Sequence, residues 1–248
     1  MKGLILLALL AISTDLSGQQ MIPAGTALPV RLESSLSSSK SKPGQEIEAR
    51  VMQDVPLAGK TLIPRGAKLF GHVISVTPSA GGAGSQISFR FDRLIFSGRT
   101  IPITVHLRAI ASMMEIYDAQ IPSVGADRGT PPDSYTTVQV GGDVVYRGGG
   151  PVMRGSEVVG KPVPYGVLVR LNSQPDKPCR GAAAGNDQPQ ALWLFSSDAC
   201  GAYGFPNVTI AHAGRTNPAG VVVLAASDGA LKIMGGSGML LRVDSSSL

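Results

Sequence analysis

The sequence predicts an all-β protein. An N-terminal barrel of antiparallel strands is followed by a second strand-rich, glycine-rich region with one disulfide. Two observations carry this. Short runs of alternating apolar and polar residues recur along the chain, which is the period of half-buried strands. Glycine and proline are also abundant, at 31 and 18 of 248 residues, while aromatics are 5% and charged residues 16%. Gly and Pro break helices and suit strands joined by turns. The length allows one large β domain or two smaller ones with real cores.

Residues 1–18 read as a signal peptide. Lys2 supplies the positive start, Leu4 to Ile12 the apolar stretch and Gly18 a small residue before the cut. The apolar stretch is too short to span a bilayer comfortably. Gln19 rather than Cys follows the cut, which argues against a lipoprotein-type anchor. No other run is long and apolar enough for a transmembrane helix. The expected location is periplasmic or secreted.

Residues 19–108 form the expected barrel domain. Leu28, Val30 and Leu32 share one face of the first strand, and Pro29 marks an edge or a strand start. Ser34 to Gly44 is a polar loop, and Glu46 to Met52 alternates again. Asp54 to Thr61 turns around Gly59. Leu62 to Val73 then reads as strand, Pro64–Gly66 turn and second strand, with Leu69 and Val73 directed to a core. The second strand extends to Val76. Ser79 to Ser85 reads as a flexible connection. Gln86 to Phe96 alternates strictly, with Ile87, Phe89 and Phe91 on one side, and Ser97 to Arg99 turns it into Thr100 to Leu107.

Residues 109–135 change character. Ile110 to Tyr117 suits a short helical turn, and Pro122, Gly125, Gly129, Pro131 and Pro132 suggest a linker or surface excursion. Residues 136–248 resume short strands around a Gly-rich tract from Gly148 to Gly160, and Asp228-Gly229 fits a hairpin turn. Val30 to Ser35 is echoed by Leu241 to Ser246. The match is short enough for chance to produce, yet two such end strands could pair or close a barrel.

Cys179 and Cys200 are the only cysteines. In an oxidising compartment such a pair points to a disulfide, worth roughly 3 kcal/mol in the chain-entropy model. Neither has a second Cys or His at metal-ligand spacing.

Residues 22–107 resemble the C-terminal β-barrel domain of the TrbI-like proteins of conjugation and type IV secretion channels. The residues that carry the resemblance are Ile22 to Thr26, Gly44 with Ile47 to Val51, Asp54-Val55, Leu62 to Gly71, and Phe91 to Leu94 leading to Gly98 to Ile101. The run Leu62 to Gly71 is the most specific. The resemblance implies a barrel that assembles with neighbours in the cell envelope. That family carries an inner-membrane helix, a Pro-rich spacer and a helical hairpin that builds a pore. Here a signal peptide stands in their place, so a stand-alone exported protein on the same barrel is expected.

Other motifs fail on local context. Gly155 to Pro162 matches phosphate-loop spacing until Pro162, where a Ser or Thr hydroxyl is needed for magnesium. Ser39 to Lys42 fits S-x-x-K, but in a loop ended by Pro43 rather than on a helix. Gly235 to Met239 lacks the last Gly of a nucleophile elbow. His72, His106 and His212 lie in or beside alternating strands, and Asp54, Asp92 and Glu115 form no recognisable carboxylate pair. Trp193, Phe195 and Tyr203 suit a ligand platform, although Trp193 and Phe195 at alternating spacing fit core packing better. The net charge of +5 is spread out rather than clustered, so no nucleic-acid partner is expected.

The expectation is therefore an exported, non-enzymatic β-barrel protein with a binding or assembly role in the bacterial cell envelope. A secretion-channel component and an exported hydrolase are the alternatives. No catalytic residue, metal ligand or cofactor is assigned, the binding residues are undefined, and the partners are envelope proteins or further copies of the chain.

Overall fold

The computed structural model describes residues 22–57, 62–122, 136–146, 150–171 and 188–245. The expected signal peptide, residues 123–135 of the expected linker and Cys179 fall outside them, and the Cys179–Cys200 disulfide is not shown. The structure is predominantly β, with 53% strand and, among the described residues, one short helix.

Before the helix run β1 (Ala27–Leu32), β2 (Leu36–Ser37), β3 (Glu46–Val51), β4 (Val55–Pro56), β5 (Leu62–Ile63), β6 (Lys68–Thr77), β7 (Ala83–Phe96), β8 (Arg99–Pro102) and β9 (Thr104–Ala111). The helix α1 spans Met113–Gln120. It is followed by β10 (Thr136–Val138), β11 (Val144–Tyr146), β12 (Val152–Arg154), β13 (Glu157–Val163), β14 (Gly166–Val169) and β15 (Gln190–Ala191). The last strands are β16 (Gly201–Tyr203), β17 (Val208–Ala213), β18 (Val222–Asp228), β19 (Lys232–Ile233) and β20 (Gly238–Ser245).

A ten-stranded sheet has the order β16-β9-β20-β1-β3-β6-β7-β18-β17, with β8 also paired to β7. A six-stranded meander runs from β10 to β15. The ladders are antiparallel except β16 on β9. Among the described residues no ladder joins the two ends of the large sheet, so the closure of the expected barrel is not shown. Its ends are β16 and β17, and β16 pairs only with Ala109 to Ala111 of β9.

The sheet also crosses the boundary expected near residue 136. β20 lies between β9 and β1, and β18 pairs with β7. The strands that hold the echoed segments are neighbours, but the register sets Leu28 opposite Leu241 and Val30 opposite Met239, so the echoed residues do not face one another.

Burial explains the alternation. Leu28, Val30, Leu32, Leu69, Val73, Ile87, Phe89 and Phe91 form one continuous core, as their spacing predicts. Lys68 and His72, between the core residues of β6, face outward to Glu48 (3.0 Å) and Asp92 (3.0 Å). β9 departs from alternation: every residue from Val105 to Ala111 is buried. Its second side packs with Leu240, Val140, Phe195 and Ile116 in another apolar cluster. Polar residues on that side are buried too. The Arg242 guanidinium donates to the Gly25 carbonyl at 2.7 and 3.1 Å. Burial, with Arg108 nearby, pushes its pKa down to about 10, against the pull of Asp244.

Two local expectations shift. The helix starts at Met113 because Ile110 and Ala111 remain in β9, and the Ser112 hydroxyl caps it by accepting from Glu115 N (3.2 Å). Asp228-Gly229 makes a turn but no hairpin, since β18 pairs with β7 and β17 while β19 pairs with β2.

Candidate binding cleft

A cleft of about 530 Å³ opens where the ten-stranded sheet, the end of α1 and the six-stranded sheet meet. This lies within the usual range for small-ligand sites, which favour such junctions. Its walls include Arg31 and Arg65 from the large sheet's side, Gln120 from α1, and Gln139, Tyr165 and Trp193 from the other side.

Tyr165 is set by a two-residue turn. β13 and β14 pair at Val163 and Gly166, leaving Pro164-Tyr165 between them. Pro164 fixes φ at negative values, and Tyr165 takes φ +66°. Glycine or asparagine adopts that conformation at least cost. Tyrosine holds it here with 65% of its surface exposed. Trp193, at φ +52°, is a second non-glycine residue in the left-handed region and also lines the cleft. Such strained positions concentrate at functional sites.

Arg65 braces the ring. It sits at the turn between β5 and β6, and its amide donates to Asp54 Oδ1 at 2.7 Å. Its guanidinium carbon stands 3.9 Å from the Tyr165 ring centroid, a cation–π contact.

Gln53 ties the halves together. Fully buried, it donates from Nε2 to the Val167 carbonyl (2.7 Å). Its Oε1 accepts from Trp193 N (2.7 Å) and Val167 N (3.2 Å). Gly166 permits this, because a Cβ there would overlap the Gln53 amide and stand 2.7 Å from Trp193 Cα.

A second concavity follows the open seam of the large sheet, where Arg108, Asp198, Tyr203, His212 and Arg215 line a groove along β17. Arg108 is anchored there to the Ala199 and Ser197 carbonyls, each at 2.9 Å. Burial lowers its pKa, while Asp198 opposes that shift.

The residues considered from sequence are dispersed. His72 pairs with Asp92, His106 with Asp244, and His212 with Val221 and Thr216. Among the described residues, no group of three or more His, Cys, Asp or Glu side chains is placed to hold a metal. Asp54 positions Arg65, and Glu115 lies in the first turn of α1. The phosphate-loop-like run lies in the β12–β13 turn and β13, and Ser39 and Lys40 lie in a turn after β2. Trp193 and Phe195 are buried in the second apolar cluster, and Tyr203 packs beside it.

Gln53 and Tyr165 escaped the sequence reading, Gly166 appeared only as a strand start, and Arg65 only as part of a turn. The one local signal was a tyrosine directly after proline in a two-residue turn. In comparisons with known proteins, no family model and no curated protein matches the chain.

Proposed function

We propose that this chain is an exported, non-enzymatic β protein that acts by binding or assembly in the bacterial cell envelope. The observation that carries the reading is Tyr165, whose ring stays exposed, braced by Arg65, in a backbone conformation that disfavours tyrosine. A ring selected for packing alone would be buried. The resemblance of residues 22–107 to TrbI-like barrel domains supports the envelope setting.

The test is retention on washed bacterial envelope fractions. The full chain, expressed with its own leader and purified from the periplasm, should be retained, and Tyr165→Ala should be lost to the flow-through. Equal behaviour of the two proteins, or accumulation in the cytoplasm with the leader uncleaved, would refute the reading. A ring-shaped oligomer under the electron microscope would instead favour the channel-component alternative.

A further inference from the structure

We propose that the inter-sheet cleft binds a carboxylated carbohydrate, with Arg65 receiving the carboxylate and the exposed face of Tyr165 lying against the sugar ring. This rests on the binding reading above and names its ligand class.

Charge is the first argument. Arg31 and Arg65 line the cleft, and among the described residues its lining contains no Asp or Glu. Arg31 is already engaged by Glu33 at 3.0 Å. Arg65 has no carboxylate within ion-pair distance among the described residues. Its backbone is pinned by Asp54 and its guanidinium plane is held over an aromatic ring. A planar donor fork, placed in advance and without a carboxylate partner among the described residues, matches a carboxylate.

Shape is the second. Arg65 covers one side of Tyr165, and the ring remains largely exposed. An exposed aromatic face calls for a flat, weakly polar surface, which the C–H face of a pyranose supplies beside its hydroxyls. Gln139 adds an acceptor: its Nε2 is committed to the Phe195 carbonyl, while its Oε1 has no hydrogen-bond partner. That residue is 4% exposed, so a small rotation of its amide accompanies capture of a ligand hydroxyl.

Extent is the third. An extended peptide is normally held along a free strand edge. Here β13 and β14 are paired with each other beside the cleft; among the described residues the edge strand β10, whose Thr137 lines the cleft, is only three residues long, and the volume of about 530 Å³ suits a few sugar units.

Trp193 is the only tryptophan and lines the cleft, so its fluorescence reports occupancy. The full exported chain is titrated with trigalacturonic acid, a neutral galactose trimer, triglutamate and inorganic phosphate. Trigalacturonic acid should give a saturable change, with the neutral trimer about tenfold weaker. Arg65→Gln and Tyr165→Asn should each weaken it about tenfold while melting like the parent. No saturable change with trigalacturonic acid, equal binding of the neutral trimer, or unaltered affinity in Arg65→Gln overturns the inference. A response confined to triglutamate or phosphate and lost in both variants also overturns it, yet leaves the cleft as a binding site. Silence toward every probe, with no retention on envelope fractions, removes both readings.

Discussion

Gln53 shows how much one side chain does at the junction of the sheets. It satisfies the N–H and C=O of Val167 and the N–H of Trp193, in a site without solvent contact. Each buried backbone group left unpaired costs about 1–3 kcal/mol, and local relaxation recovers part of that. Gln53→Ala should therefore destabilise the fold by about 3 kcal/mol in chemical denaturation. Gln53→Glu should also destabilise, because it buries a carboxylate and leaves the Val167 carbonyl only the longer bond from Leu192 N (3.2 Å). A loss below about 1 kcal/mol for Gln53→Ala would show that the clamp is redundant. Arg65 carries a related lesson. From sequence it belonged to a turn in a scaffold. In the structure, that turn delivers its guanidinium to Tyr165, which is 100 positions away in the chain.

Among the elements, the hairpin of β13 and β14 separates stability from recognition. Tyr165 sits at positive φ, where asparagine is tolerated better. The cation–π contact at such an exposed site is worth only about 0.5–1 kcal/mol. Tyr165→Asn should thus melt no lower than the parent in calorimetry, while retention on envelope fractions is lost. A clear drop in melting temperature would mean that the ring is structural. β6 makes the opposite case. Gly71 lies beside a register shift against β7, and a Cβ there would collide with the Arg90 carbonyl and stand 2.7 Å from Phe91 Cα. Gly71→Ala should cost about 2–3 kcal/mol, read as a melting point lower by about 4–12 °C.

These elements also show what was legible. Strands with one mainly buried face, β3, β6 and β7, were readable because alternation records burial directly. The start of β7 was not. Ala83 and Gly84 looked like linker, but the Gly84 backbone packs against the Ala226 carbonyl so closely that a Cβ would not fit. β9 hid its place because both of its faces are covered. The cleft was illegible for a different reason. Gln53, Arg65, Tyr165 and Trp193 meet only through tertiary packing, and no local pattern records such a meeting.

The strand order sets the last prediction. Residues 19–108 looked like a domain because they contain β1 to β7 and most of β9. In the sheet, β1 and β9 are joined only through β20, and the outer side of β7 is covered by β18. A fragment limited to 19–108 would lack both strands and expose long apolar edges, which promote aggregation. It should not fold alone. Its amide proton spectrum should be collapsed where that of the full chain is dispersed. Supplying 188–248 as a separate chain should restore part of that dispersion, because those residues hold β18 and β20. A well-dispersed, cooperatively melting 19–108 fragment would show that the N-terminal block closes without its C-terminal partners. The shared sheet would then be an association of two independent units rather than one fold.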